Sequence, residues 1–272
     1  MRKVKGFFKK YRGMMPVFFL MLLSPALMAT LQKTKDAYGL THEIDTGKKV
    51  YQERCLICHG VEGNGKGPVD VVRRAEKTGR IIEIYSRDFT VGVFKFRSTP
   101  TGCLPTDDDI LGTIADGIER SFMPSHKEVL SSEEREAVKE YIKAFSFRWE
   151  EEDPCDAITV KKPEGVDSPA FAEKGKMVYK EMKCWECHGY QGVGDGPKAD
   201  DLKDDWGKQI RPFDFTTGAL KRGSSPENVY ITFTTGLDGT GMPAYEDSPS
   251  EEDRWHLVAY TLKLMKLKGR AE

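Results

Sequence analysis

Two pentapeptides in this chain have the residue types and spacing for covalent cofactor chemistry: Cys55-Leu56-Ile57-Cys58-His59 and Cys184-Trp185-Glu186-Cys187-His188. Two thiols three positions apart match the vinyl groups of a porphyrin, to which they add as thioethers. The His that follows then lies under the ring and offers its nitrogen to the iron. A redox dithiol of the thioredoxin kind expects a βαβ setting, and no such pattern surrounds either pentapeptide. Zinc would draw its ligands from Cys55, Cys58, Cys184 and Cys187 and leave both His residues without a role. The residues therefore point to two covalently attached haem c groups, with His59 and His188 as proximal iron ligands.

A second axial ligand has to come from later in the chain. Beyond the first 29 residues there are five Met: Met123, Met177, Met182, Met242 and Met265. Met177 and Met182 precede the second pentapeptide at helical spacing, and Met265 lies in the last apolar stretch, so packing accounts for all three. Met123 and Met242 each precede a Pro and follow a short helical pattern. A thioether is a soft, weak ligand that favours ferrous iron and raises its potential. Met123 and Met242 are the candidate distal ligands, with His126, three residues past Met123, as a rival in the first site and His42 as a more remote one. The spacing of Pro68 and Pro197, each nine positions after its His, suggests that a carbonyl near them accepts the His Nδ1 proton. The haem propionates need cationic donors. Arg97 is the candidate in the first half and Lys221 or Arg222 in the second, against the alternative of a solvated surface charge.

The elements that must hold these groups occur twice. Gly47-Lys48-Lys49-Val50-Tyr51 returns as Gly175-Lys176-Met177-Val178-Tyr179, and Gly63-Asn64-Gly65-Lys66-Gly67-Pro68 as Gly192-Val193-Gly194-Asp195-Gly196-Pro197. Asp88-Phe89-Thr90 returns as Asp214-Phe215-Thr216, and Met123-Pro124 as Met242-Pro243, in the same order. A two-copy repeat of this length is a duplicated domain. In each copy an amphipathic helix runs into the Cys pentapeptide, beginning near Thr46 or at Ser168 with Pro169 in its first turn. A Gly-rich loop follows, then a short helix over Asp107–Gly117 or Pro226–Gly236 and the Met-Pro loop. The closing helix spans Ser131 to Phe145, where Ser131 and Glu134 have capping-box spacing, or Ser250 to Lys266. No run of alternating strand residues stands out. Glu150 to Pro154 and Lys161 to Pro169 have a linker's charge, Pro and Gly.

On these motifs the chain resembles a tandem class I cytochrome c. The resemblance implies an all-α fold of two tandem cytochrome c domains, each wrapping one covalently bound haem. The domains would cover residues 43–147 and 167–268, joined by a linker at 148–166. It also implies His–Met iron in both and electron transfer between redox proteins in the periplasm or at the membrane surface, with a membrane-bound respiratory oxidoreductase among the candidate partners. A di-haem enzyme of peroxidase or thiosulfate-oxidising type is the alternative. Cys103 and Cys155 have no counterpart in the second copy. Either they pair as a disulfide, or Cys103 serves the first iron as a thiolate.

Residues 1–29 carry Arg2, Lys3, Lys5, Lys9, Lys10 and Arg12 ahead of an apolar run from Met14 to Ala29. That is the layout of an export signal peptide, with an uncleaved membrane anchor as the other reading, and it directs the chain to the periplasm. The remaining 243 residues hold 36 bases against 43 acids, a formal charge of −7. That balance speaks against a nucleic-acid partner, and no apolar run beyond the first thirty residues is long enough for a polytopic membrane protein.

Overall fold

A computed structural model describes residues 43–75 and 81–266; the leader and His42 lie outside the described residues. In the first half, helix α1 (43–54) leads into a single turn, α2 (Leu56–His59). A hairpin of β1 (Val71–Ala75) and β2 (Ile81–Tyr85) follows, then α3 (Asp107–Asp116), α4 (Ser132–Lys143) and the turn α5 (Arg148–Glu151). The second half repeats the plan with α6 (Pro169–Glu181), the turn α7 (Trp185–His188), a 3-10 turn at Phe215–Thr217, α8 (Pro226–Thr235) and α9 (Glu251–Lys266). Among the described residues, no helix is long and apolar enough to cross a membrane.

Local chemistry sets the helix starts. Ser131 and Glu134 form the expected capping box of α4, and Thr106 with Asp109 forms another on α3. Ser168 caps α6 and Ser225 caps α8, each followed by Pro in the first turn. These side chains satisfy N–H groups that have no partner within the helix.

Each half has its own apolar core. Val50, Tyr51, Ile110, Ile114, Val138 and Ile142 build the first around α1, α3 and α4. Val178, Tyr179, Val229, Phe233, Trp255 and Val258 build the second around α6, α8 and α9. The first and last long helices of each half cross at a glycine. A Cβ on Gly47 would lie 2.0 Å from the Ala137 carbonyl oxygen, and one on Gly175 would lie 1.9 Å from that of His256. Only glycine permits so close an approach.

The hairpin departs from the strand-free expectation. Its strands pair antiparallel, from Val71 opposite Tyr85 to Ala75 opposite Ile81. The β-branched residues that favour it are interrupted by Arg73, Arg74 and Glu83, and Arg73 meets Glu83 across the ladder at 2.8 Å. With both faces only partly buried, the ribbon lacks the apolar alternation that marks a strand in sequence.

The halves are joined by buried charge. Arg97, fully buried, pairs with Asp238 at 2.8 Å and donates to the Thr235 carbonyl at 2.9 Å. Asp238 in turn accepts from Thr101 Oγ1 and the Gly102 N–H. Arg222 pairs with Asp109 at 2.8 Å and donates to the Arg97 carbonyl. Arg87 lies over the Trp206 ring at 4.8 Å, and Lys208 over the Tyr85 ring at 4.6 Å. Cys103 and Cys155 form a disulfide, tying the long loop of the first half to the segment between the halves.

Candidate functional site

The turn that carries each Cys pair follows directly from the preceding helix. The Cys55 N–H bonds the Tyr51 carbonyl at 2.9 Å, and the Cys184 N–H bonds that of Tyr179 at 3.0 Å. The tyrosine hydroxyls then cross the turn: Tyr51 donates to the Gly60 carbonyl and Tyr179 to the Gly189 carbonyl, each at 2.7 Å. The four thiols are free and partly buried. Burial pushes Cys55 and Cys184 up to about 11, each also raised by its neighbouring thiol.

His59 and His188 are oriented by the same devices. Nδ1 of His59 lies 3.0 Å from the Arg87 carbonyl oxygen, and Nδ1 of His188 lies 3.4 Å from that of Phe213. The rings stack on Phe89 and Phe215, with centroids 4.4 and 4.6 Å apart. Burial lowers His59 below the ordinary imidazole value and takes His188 down to about 4, which keeps Nε2 unprotonated as a ligand requires. The carbonyl acceptors are therefore not beside Pro68 and Pro197, as the spacing suggested; they precede the repeated Asp-Phe-Thr segments. The Gly-rich loop has a different task. It accepts the Phe89 N–H on the Gly63 carbonyl at 2.7 Å and the Phe215 N–H on the Gly192 carbonyl at 2.8 Å. Gly65 (φ 72°) and Gly194 (φ 79°) let that segment pass, since a Cβ on either would stand 2.7 Å from the Ser86 or Pro212 carbonyl oxygen.

The two Met loops have one backbone design. The Ile118 N–H bonds the Met123 carbonyl at 3.0 Å, and the Leu237 N–H bonds that of Met242 at 3.1 Å. The Met123 N–H donates to Ser121 Oγ at 3.3 Å, and the Met242 N–H to Thr240 Oγ1 at 3.2 Å. The first loop achieves this with Arg120 and Phe122 at positive φ (60° and 64°); at the equivalent positions the second has Gly239, also at positive φ (74°), and Gly241, which is not. His126 corresponds to Tyr245, since their N–H groups bond equivalent carbonyls, Ile114 and Ala115 in one copy and Phe233 and Thr234 in the other. His126 is buried, and its Nδ1 has no hydrogen-bond partner.

In the second half the groups converge on one cavity of about 780 Å³, lined by Cys184, Cys187, His188, Met242 and Tyr245 with Phe213, Phe215 and Phe233. Free thiols, a neutral His and an apolar wall in one space fit a porphyrin. Among the described residues, no cluster of three or more His, Cys, Asp or Glu could hold a metal ion. Of the proposed propionate donors, Lys221 and Arg222 both line this cavity, and Arg222 is committed to Asp109. Arg97 is held between the halves by Asp238, and only its Nη1 has no partner. His256, in α9, packs edge-on against Phe171 rather than facing a site.

Sequence reasoning missed the tyrosine hydroxyls, the stacked phenylalanines and the two carbonyl acceptors. The repeat did carry a signal for the first two, because Tyr51 and Phe89 recur as Tyr179 and Phe215. Backbone acceptors leave no trace in residue type.

A search of curated proteins finds no significant match. A chain of the Kuenenia stuttgartiensis reducing HAO-like protein complex Kustc0457/Kustc0458 is similar in structure, with a TM-score of 0.71 and 40% identity over 81% of this chain and 96% of that one. The family model described as cytochrome C oxidase, cbb3-type, subunit III matches residues 42–142 and again 170–260. The chain belongs to this cytochrome c family and carries its domain twice, with one haem c held covalently by Cys55 and Cys58 and a second by Cys184 and Cys187.

Proposed function

We propose that this protein is a two-haem electron carrier of the periplasm, with iron held by His59 and Met123 in the first domain and by His188 and Met242 in the second. The observation that carries the reading is the shared backbone design of the two Met loops, with Met242 on the same cavity as Cys184, Cys187 and His188. When bound, haem iron supplies one-electron chemistry between its ferrous and ferric states. The residues do the rest. The Cys pairs would fix the ring, the Arg87 and Phe213 carbonyls orient the imidazoles, and Phe89 and Phe215, stacked on those imidazoles, would help keep water from the iron. Met123 and Met242 would hold the iron as second protein ligands, which would leave no position for substrate.

The enzyme alternatives need an open position or a thiolate. Cys103 is engaged with Cys155, which argues against a thiolate, and a Met loop in each domain argues against an open position. Optical spectra test the proposal: two low-spin haems indifferent to peroxide are expected, and a high-spin ferric signal or rapid reaction with peroxide would overturn it.

The disulfide and the export-type leader support a periplasmic address. The similar solved chain belongs to a complex of two named proteins. By analogy, donor and acceptor are redox proteins, one of them docked stably as in that complex. Purification from native membranes, with identification of whatever comes with the chain and of its N-terminal residue, tests the partner, the address and the fate of the leader together.

A further inference from the structure

The cavity at the second haem site is not built by the second domain alone. Ser86, Arg87 and Lys95 of the first domain line it together with Lys221 and Arg222 of the second. Lys95 and Lys221 are equivalent: Asp88-Phe89-Thr90 and Phe94-Lys95 stand 126 positions before Asp214-Phe215-Thr216 and Leu220-Lys221.

Several of the cations around this space are occupied, and Lys66 and Lys183, which also line it, are exposed to solvent. Arg222 has Asp109, Arg97 has Asp238, Arg211 has Asp200, Arg87 lies on Trp206 and Lys208 on Tyr85. Arg74 donates to the Arg120 carbonyl at 2.7 Å, and Arg120 lies over Phe213. Lys95 and Lys221 differ. Among the described residues, neither ammonium has a hydrogen bond or an ion pair. Burial pushes Lys95 down to about 7, with Arg87 and Lys221 adding to the fall and Asp204 opposing it. Burial likewise takes Lys221 down to about 8, helped by Arg74, Arg120 and Arg87. Both amines are half-buried on the wall of one cavity among other cations, an arrangement that an anion in the cavity would relieve. Carboxylates placed between them would restore both charges.

We infer that Lys95 and Lys221 form one carboxylate-binding site shared by the two domains, which receives haem propionates and couples the two haems electrostatically across the domain boundary. The inference rests on the two-haem assignment and not on which proteins give or take electrons. A cation near a haem edge favours the reduced, less positive iron, so its removal lowers the potential.

The test is a potentiometric titration of both haems in the purified holoprotein carrying Lys95→Met or Lys221→Met, which keep the side-chain stem. Each single change is expected to lower both midpoint potentials, while the spectra still show two low-spin haems. If each change moves only the haem of its own domain, the sites are private and the sharing is wrong. If neither potential moves, the lysines bind no propionate. Should a Met variant fail to retain haem, Lys95→Arg and Lys221→Arg decide instead. They are expected to hold both potentials near those of the unaltered protein, and a fall in them would overturn the inference. A high-spin spectrum in the unaltered protein would sink the carrier reading and leave this comparison intact.

Discussion

Met242 and Met123 stand in equivalent loops yet differ in what surrounds them, and that difference is testable one side chain at a time. Met242 lines the cavity with Cys184, Cys187 and His188, and three residues on is Tyr245, an oxygen donor that burial pushes up to about 12. A phenol so reluctant to ionise does not compete for iron at neutral pH. Met242→His is therefore expected to keep a six-coordinate second haem and lower its potential markedly, because imidazole favours ferrous iron less than a thioether does. Potentiometry with both potentials unchanged would remove Met242 from the iron. In the first domain the residue at the Tyr245 position is His126, buried with an unpartnered Nδ1. There Met123→His should lower the first potential and leave the second alone, while His126→Ala should leave the spectrum unchanged. A spectral shift on His126→Ala would make His126 the ligand and Met123 a packing residue. The Cys and His positions were legible because their chemistry is local and occurs twice, and the Met-Pro loops stood out as a repeat. The imidazole acceptors were not, because the Arg87 and Phe213 carbonyls are contributed by backbone 28 and 25 residues away.

The helices were legible for a related reason. Their start signals, such as Ser131 with Glu134 and Ser168 with Pro169, act within one turn of chain, and the structure places the caps on those residues. The hairpin was not, because Arg73 and Glu83 satisfy each other across strands and hide the strand pattern. Gly47 and Gly175 were visible as repeated residues, but their reason appears only where two helices cross. Gly175→Ala would drive its Cβ into the His256 carbonyl and force α6 away from α9. Overpacking of this kind costs about 1–3 kcal/mol. The expected outcome is a lower thermal midpoint for the second domain, with its haem band lost before that of the first. Calorimetry showing no change would mean the helices separate without cost. The disulfide acts on the unfolded chain instead. Its partners are 52 residues apart, and a cross-link typically contributes about 2–4 kcal/mol by limiting the unfolded ensemble. Cys103→Ser with Cys155→Ser should lower the unfolding free energy from denaturant titration by that order and leave both haem potentials in place. A moved first potential would show that Cys103 touches the haem site.

The contacts between the domains lay beyond sequence reasoning altogether, because Arg97, Asp109, Arg222 and Asp238 are ordinary charges until the fold brings them together. This bears on how the charge of the whole molecule acts. Acid clusters at Asp107–Asp109, Glu150–Asp153 and Glu251–Asp253 stand out in a body at −7. The first has internal work: Asp107 pairs with Lys139 and Lys143, and Asp109 with Arg222. The third occupies the first turn of α9, where negative charge suits the helix N-terminus. Glu150, Glu151 and Asp153 remain exposed, next to an exposed Phe147, and among the described residues the ion pair of their cluster is that of Glu152 with Arg148. If a basic redox partner is steered to this face, the encounter rate carries the effect, and salt screens it over roughly 10 Å at 0.1 M. Stopped-flow electron transfer to a basic acceptor is then expected to slow steeply as salt rises. Glu150→Gln, Glu151→Gln and Asp153→Asn together should flatten that dependence and leave both spectra and both potentials alone. Asp109→Asn should do the reverse, weakening the joint between the domains with little effect on the salt slope. A rate indifferent to salt in the unaltered protein, or a slope that survives the triple change, would assign these acids to solvation alone.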